Sequence, residues 1–410
     1  MSSSFKRGLG LAALLCGIAV SLTRVGGGVD FPVIYVMAQG ALNGANVYLP
    51  EQTAAFSTDF GVAQFGIFYP PATGFAALPL ALLSYGVAKW TFAVLCSVAI
   101  AFGIRALVRL AKPESPPYLW MIIAGVVLAS SAMRWGMMLL QVAPLVLGLL
   151  CWFVSLLHRG KPRAAVVVAI VAMSLKMTLA LPFLALLALR RHFVGAATVV
   201  GAWVTLNVIG FWRMGPDAFA DYQRSIGELE KIGHISSPDP WRPIALPRLD
   251  WVSLFYGITG DLTFARGAAL TAAAACFLWL AWCALRNPRP YDLKSTAVFL
   301  GAATCLGSLG VYHHQYDAIV FFAPALLGAL LFDPKDRWGY LLIAPLLAMI
   351  LVLPIGKAQS VLASLLGLTG VGLLKLSFPV AFTLALIGCL LLIGAPVTRL
   401  ATRQLEQKTA

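Results

Sequence analysis

Residues 164–189 read AAVVVAIVAMSLKMTLALPFLALLAL, a 26-residue apolar run with one charge, Lys176, near its middle. A helix crosses the hydrocarbon core of a bilayer in about 20 residues, so a run of this length is typical of a membrane protein. A lysine at the centre of a span costs about 2.5–3.5 kcal/mol on insertion scales. The run therefore predicts either a break into two short helices near Lys176 or an aqueous cavity that holds an anion.

The rest of the chain is similarly apolar. Of its 410 residues, 60% are hydrophobic and only 11% are charged, whereas a soluble chain carries about 25% charged residues. Such a chain cannot bury its apolar side chains in one water-soluble core. Its other apolar runs are centred near 68–86, 88–108, 118–133, 142–157, 192–211, 264–285, 295–311, 317–332, 338–354 and 374–394. These runs predict an all-α, polytopic transmembrane bundle with about ten to twelve spans.

The chain is strongly basic, with 30 Lys and Arg against 16 Asp and Glu and a net charge of +14. The basic residues form short clusters between apolar runs, such as Lys6-Arg7 and Arg190-Arg191. Cytoplasmic loops of membrane proteins have this pattern, so we expect no nucleic-acid partner. The clusters predict a multi-pass protein of the plasma or inner membrane, with a retained signal anchor at the start and both termini in the cytoplasm.

Two polar stretches, about 25–66 and about 212–262, are expected outside. They divide the chain into an N-terminal module (1–211) that carries the first outside loop, the 212–262 loop and C-terminal helices (263–410). The runs between 67 and 189 leave two alternatives. If all of them span, two basic clusters lie outside, against the positive-inside rule: Arg105, Arg109 and Lys112, and Arg159, Lys161 and Arg163. Otherwise one early run is re-entrant or superficial and 164–189 is broken near Lys176.

Asp30 is the first candidate for chemistry, because it follows the first span by a few residues and lies at membrane-surface level. Tyr35 and Gln39 follow at i and i+4 of the next helical stretch, and hence on one face. The alternative for Asp30 is the N-cap of a helix that starts at Pro32.

Three further polar residues lie at the ends of apolar runs or inside them. Tyr69 precedes Pro70-Pro71, a pair that suits the start of a span, so it is either an interface anchor or a substrate-binding residue. Arg134 and Gln141 stand among apolar residues, where polar groups are expensive and often functional.

His313 and His314 lie at a predicted outside boundary. Adjacent histidines point in different directions on a helix, so they are not both ligands of one metal. One of them could donate to a phosphate or hydroxyl, oriented by Asp317, or the pair could be a polar cap at the interface. The seven cysteines form no CxxC pair and predict neither a zinc site nor a disulfide.

The order of these features resembles a known family. It comprises Asp30 with Tyr35, Gly44 and Tyr48, then Tyr69-Pro70-Pro71, Trp135-Gly136 with Gln141, Lys176 before Arg190-Arg191, and the late histidine pair. Over about residues 8–335 the chain resembles the GT-C membrane glycosyltransferases. It is most similar to the bacterial polyprenyl-phosphate-mannose-dependent α-mannosyltransferases that elaborate phosphatidylinositol mannosides. Gln141 departs from the family pattern, because Val142-Ala143-Pro144 follows it where Gly-Gln-x-Asn is usual.

The resemblance implies an inverting transfer from a polyprenyl-phosphate hexose or pentose to a glycolipid or glycan, on the extracytoplasmic face and in contact with membrane lipids. Asp30 would be the general base, and His313 or His314 would lie near the donor phosphate. Lys176, Arg134, Gln141, Tyr35 and Tyr69 complete the expected donor-phosphate or substrate-binding set. One base suffices, because the leaving phosphate is already a good anion, so neither a cofactor nor a divalent metal is indicated, although a metal held by Asp30 with Asp59 stays open. The competing hypothesis is a transporter or flippase in which Lys176 and Arg134 bind an anionic substrate.

Overall fold

The structure is a computed structural model of the 410-residue chain, and it describes residues 3–23, 25, 30–60, 66–229, 237–242, 247–286, 292–331 and 355–409. Helix accounts for nearly all regular structure in these ranges. Within them no strand forms, and a single isolated antiparallel bridge joins Arg248 to His314. The predicted all-α class is confirmed.

In the described ranges the α-helices are α1 Ser3–Leu22, α2 Phe31–Asn43, α3 Pro50–Phe60, α4 Ala72–Ala76, α5 Leu78–Ala81, α6 Tyr85–Ala111, α7 Pro117–Ala129, α8 Ser131–Leu139, α9 Ala143–His158, α10 Pro162–Leu175, α11 Leu181–Leu189, α12 Phe193–Met214, α13 Ala218–Leu229, α14 Trp251–Thr259, α15 Leu262–Arg286, α16 Leu293–Gly310, α17 Phe322–Leu331 and α18 Ile355–Thr409. Short 3₁₀ segments occupy Met177–Leu179 and Gln315–Phe321. Helix α18 is interrupted at Gly367, whose φ is 64°.

Several of these helices can cross a bilayer. Among the described residues, six are long and apolar enough: Ser4–Leu22, Tyr85–Ala111, Phe193–Met214, Leu262–Arg286, Leu293–Gly310 and Thr369–Gly394. Helices α7 and α8 together form a seventh candidate, bent by 58°. The polytopic helical class is therefore confirmed. The number of ten to twelve spans stays a prediction, because four shorter apolar helices remain and the run at 338–354 lies outside the described residues.

The run at 68–86 does not form a spanning helix. It contains α4 and α5, of five and four residues, which at 1.5 Å per residue reach only about 6–8 Å each. The short helices agree with the alternative in which one early run does not span. On that alternative α1 and α6 are successive crossings, and Arg105, Arg109 and Lys112 would lie on the side of Lys6-Arg7, as the positive-inside rule requires. The side on which each cluster lies stays a prediction.

The chain forms two compact units. The first contains Met1–Ala106, Glu114–Met177 and Ala197–Ser237; the second contains Leu107–Pro113, Thr178–Ala196 and Pro238–Ala410. The boundaries proposed from the sequence, at 211 and 262, stay predictions.

In the first unit, helices α1 and α7 pack closely because glycines meet at their crossing. A Cβ on Gly17 would collide with the backbone of Gly125, and one on Gly125 would collide with the backbone of Ala13. Small residues are the usual means of close helix approach in a membrane, where no hydrophobic force drives helices together. Helices α9 and α10 pack as an antiparallel hairpin whose turn is residues 159–161.

In the second unit, α16 packs against α11, α15 and α18. The segment before α14 is anchored by a buried ion pair, in which Arg248 Nε and Nη2 donate to the two carboxylate oxygens of Asp250 at 2.7 and 2.9 Å. The same guanidinium lies 4.7 Å from the Tyr312 ring centroid. Asp250 also accepts from the backbone N–H of Ser253 and so caps α14.

We expect Asp250→Ala to lower the free energy of unfolding by about 3–5 kcal/mol, because it leaves the buried Arg248 charge without its bidentate partner. The measurement is the unfolding midpoint in detergent micelles. Asp292→Ala is the matched control, since Asp292 caps α16 in the same way at an exposed position and should cost only about 0.5–2 kcal/mol. Equal shifts in the two variants would show that the ion pair contributes nothing beyond the cap.

Candidate functional site

Asp30 immediately precedes α2 and is half-buried. It stands at the N-cap position, but its side chain makes no capping hydrogen bond. Its backbone N–H donates to the carbonyl of Leu139 at 3.1 Å, and its Oδ2 accepts a short hydrogen bond from Gln141 Nε2. Asp30 is therefore the N-cap residue by position, as the alternative held, but its carboxylate bonds a residue 111 positions away and does not cap the helix.

Gln141 lies in the tight connection between α8 and α9, and only 3% of its surface is exposed. Helix α8 ends at Leu140, which has left-handed backbone angles (φ 53°, ψ 51°), a conformation that costs a non-glycine residue about 1–2 kcal/mol. The backbone N–H of Gln141 then donates to the Gly136 carbonyl at 2.8 Å. A strained turn thus presents this buried amide to the carboxylate of Asp30.

Tyr69 contacts the other end of the same amide. Its hydroxyl lies 3.4 Å from Gln141 Oε1, and its carbonyl accepts from the Tyr48 hydroxyl at 2.9 Å. Burial, and next the neighbouring Tyr222, raise the pKa of Tyr48 well above its ordinary value. The Tyr48 phenol therefore stays protonated over the physiological range and continues to donate to the Tyr69 carbonyl.

Lys176 stands at a break between two helices, as the sequence predicted. Helix α10 ends at Leu175, Lys176 is extended (φ −155°, ψ 94°), and a 3₁₀ turn precedes α11. The buried Thr73 holds the end of α10, because its Oγ1 donates to the Ser174 carbonyl at 2.9 Å. The half-buried lysine is thus held in non-helical backbone, which at membrane depth requires a protein or aqueous surrounding.

The antiparallel hairpin of α9 and α10 brings Gln141 and Lys176 to the same end of the two helices. Gln141 directly precedes the start of α9, and Lys176 directly follows the end of α10. In an antiparallel hairpin the start of the first helix and the end of the second are at the same end. The short segment 69–73 contacts this end of both helices. The Tyr69 hydroxyl lies near the Gln141 side chain, and the Thr73 hydroxyl donates to the Ser174 carbonyl. The first unit therefore gathers an acid, an amide, a phenol and a lysine in one region.

Unpaired donors also occur in this unit. Among its described residues, three buried side-chain atoms lack a hydrogen-bond partner: Arg134 Nε, Ser174 Oγ and Trp203 Nε1. An unsatisfied buried group costs about 1–3 kcal/mol. The guanidinium and indole nitrogens can only donate, and the hydroxyl can donate. All three therefore fit a ligand that is rich in acceptor oxygens.

The histidine pair lies in the second unit, fully buried. His313 is bonded through Nδ1 to Asp317 Oδ2 at 2.9 Å and through Nε2 to the Thr178 carbonyl at 3.3 Å. His314 is bonded to the Tyr312 hydroxyl and, at 3.3 Å, to the Pro247 carbonyl. Asp317 bonds His313, as the sequence predicted, and the two rings bond different partners. The pair precedes a 3₁₀ segment and does not lie on a helix, so the argument from helical geometry does not apply. A role at the donor phosphate stays a prediction.

Tyr35 packs in the first unit with 4% of its surface exposed. Its hydroxyl donates to the Leu83 carbonyl at 2.7 Å and accepts from Gln39 Nε2 at 3.1 Å, so the predicted shared face of Tyr35 and Gln39 is confirmed. These bonds tie α2 to the segment after α5. Substrate binding by Tyr35 stays a prediction.

Sequence reasoning missed two sets of residues. One is the Arg248–Asp250 pair. The other is Lys375, which is 2% exposed and donates to the Arg242 carbonyl at 2.6 Å. The signal for Lys375 was present, because it is a charge inside the apolar run at 374–394, as Lys176 is inside its own. Within the described ranges, no group of three or more His, Cys, Asp or Glu side chains could hold a metal ion.

Comparison with known protein families identifies a match. The family model of Glycosyltransferase family 87 matches residues 67–308, which is more than half of the 410-residue chain. The matched region includes Tyr69, Arg134, Gln141 and Lys176, starts after Asp30 and ends before His313. No curated protein matches the chain.

Proposed function

Because the chain belongs to glycosyltransferase family 87, and is therefore a membrane glycosyltransferase, we propose that its donor is a polyprenyl-phosphate hexose or pentose. The acceptor is a hydroxyl of a glycolipid or glycan on the extracytoplasmic face, and mannose is the first sugar to test. A half-buried acid, Asp30, and a half-buried lysine at a helix break, Lys176, support this proposal, and both lie in the same unit.

The observation that carries the proposal is the hydrogen bond between Gln141 and Asp30. A carboxylate used only for capping would bond its own helix, whereas this one is oriented by a buried amide beside the break at Lys176. The acceptor hydroxyl oxygen attacks the anomeric carbon and forms the new glycosidic bond. Its proton passes to Asp30, and the bond from the anomeric carbon to the phosphate oxygen breaks with its electron pair on the phosphate. One displacement of this kind inverts the anomeric configuration.

Asp30 acts alone as the general base in this scheme. Glycosidases need a second carboxyl group to protonate a poor leaving group. A polyprenyl phosphate leaves as a stable anion, so the reaction needs cationic or hydrogen-bonding stabilisation of the phosphate oxygens instead. Lys176 supplies the charge, and the unpaired donors of Arg134 and Ser174 are suited to the same oxygens. His313 and His314 would each have to give up a present hydrogen bond to contact a phosphate. We therefore assign them a smaller role in phosphate binding than Lys176.

The test is transfer by the purified protein in lipid nanodiscs, supplied with a polyprenyl-phosphate sugar labelled in the sugar and with membrane lipid extract as acceptor. We expect the label to appear in a new glycolipid or glycan and the carrier to be released as polyprenyl phosphate. A parallel assay in proteoliposomes tests the competing transport hypothesis, because it measures movement of the labelled lipid across the bilayer. Movement of the labelled lipid across the bilayer, with no covalent product in either assay, would overturn the proposal.

A further inference from the structure

We infer that Gln141 is a positioning residue, which holds the Asp30 carboxylate in the orientation in which it accepts the proton from the acceptor hydroxyl. This inference rests on the proposed function, because it assumes that Asp30 is the base. It goes further by giving Gln141 a role other than binding the donor phosphate.

The orientation of the Gln141 amide follows from its partners. A carboxylate can only accept, so the amide nitrogen must face Asp30 Oδ2 and the amide oxygen must face the other way. The Tyr69 hydroxyl, at 3.4 Å from Oε1, can then donate. A flipped amide would place its oxygen against the carboxylate, which is repulsive. The acid therefore selects one orientation of the glutamine amide, and the tyrosine hydroxyl, which can donate or accept, is compatible with that orientation.

The hydrogen bond from Gln141 restricts the Asp30 carboxylate. Because the amide holds Oδ2, the carboxylate rotates less freely about its Cβ–Cγ bond. General-base catalysis requires hydrogen-bond reach to the proton that is removed. A carboxylate held in one orientation keeps that reach, whereas a freely rotating carboxylate loses it part of the time.

The backbone around this contact is fixed from both sides. The N–H of Asp30 bonds the Leu139 carbonyl, and the N–H of Gln141 bonds the Gly136 carbonyl. Between these two bonds lies Leu140, buried and in a left-handed conformation. Strain of this kind persists where the surrounding structure determines it, and it is common at functional sites. The acid and the segment that carries its amide partner are thus joined by a backbone as well as a side-chain hydrogen bond.

The experiment compares Gln141→Leu, Gln141→Glu and wild type in the nanodisc transfer assay. For Gln141→Leu we expect kcat to fall about 10- to 100-fold, the cost of misplacing a reacting group, with the KM of the polyprenyl-phosphate sugar unchanged. For the isosteric Gln141→Glu we expect the acidic limb of the pH–rate profile to move to higher pH, because two carboxylates that share a site cannot both ionise readily.

Gln39→Leu is the matched control. Gln39 is half-buried and bonds the Tyr35 hydroxyl and the Ala81 carbonyl, so its loss removes a hydrogen-bonded amide from the same unit without affecting a carboxylate. We expect its kcat and pH–rate profile to match wild type. Wild-type kcat in Gln141→Leu, with an unshifted profile in Gln141→Glu, would overturn the inference. Absence of transfer by the wild-type protein would instead overturn the proposed function.

Discussion

Asp30→Asn should reduce kcat for sugar transfer by about 10²- to 10⁴-fold, the usual contribution of a general base. The side chain keeps its size and, through its amide oxygen, can still accept the hydrogen bond from Gln141. It loses only the ability to take a proton at neutral pH. We therefore expect unchanged expression, unchanged thermal stability and an unchanged KM for the labelled polyprenyl-phosphate sugar, measured in nanodiscs.

The control for this variant is Asp59→Asn. Asp59 lies on α3, exposed, in the same polar stretch. If Asp30 acts alone, Asp59→Asn retains wild-type kcat. A comparable loss in both variants would instead indicate a shared function, such as a common metal ion. Wild-type kcat in Asp30→Asn would show that Asp30 is not the base.

Lys176→Met should lower kcat/KM for the polyprenyl-phosphate sugar by about 10²- to 10³-fold, the range found when one preorganised donor to a developing anion is removed. The reason is that the growing charge on the phosphate loses its ammonium partner in a low-dielectric region. Lys176→Arg keeps the charge and should recover part of the activity. The measurement is initial rate against donor concentration for the three proteins.

The matched control is Lys161→Met, because Lys161 is exposed and lies in the turn at the opposite end of the same hairpin. We expect it to retain wild-type kcat/KM. A second readout does not depend on turnover: free polyprenyl phosphate should raise the unfolding temperature of wild type by mass action and have little effect on Lys176→Met. Equal stabilisation of wild type and Lys176→Met would place the phosphate elsewhere.

The helical membrane class and the break at Lys176 were both predictable, because each follows from local physics. An apolar run of 26 residues is long enough for a span or a pair of half-helices. A lysine at its centre is costly, so a break near Lys176 was one of the two predicted arrangements, and the structure shows the break. The run at 68–86 was harder, since its composition resembles that of a span. Pro70-Pro71 and Pro79 start two short helices there, and composition alone does not reveal where a short helix ends.

The pairing inside the candidate site was not predictable. Asp30 and Gln141 are separated by 111 positions, and no pattern in one sequence connects them. The turn that joins them depends on a left-handed Leu140, where sequence rules expect glycine. Local rules therefore favoured a helix cap for Asp30, and tertiary contacts gave it another partner. The sequence revealed the candidate residues one by one, because polar groups stand out in apolar surroundings. Their hydrogen-bond partners could be identified only from the folded structure.

The most direct test of the account is a structure of Asp30→Asn with a polyprenyl-phosphate sugar bound. We predict the phosphate within about 4 Å of the Lys176 ammonium, ordinary ion-pair distance. The anomeric carbon should face residue 30, with room between them for one acceptor hydroxyl at hydrogen-bond reach. A phosphate bound away from Lys176, or a sugar whose anomeric carbon faces away from residue 30, would contradict the account.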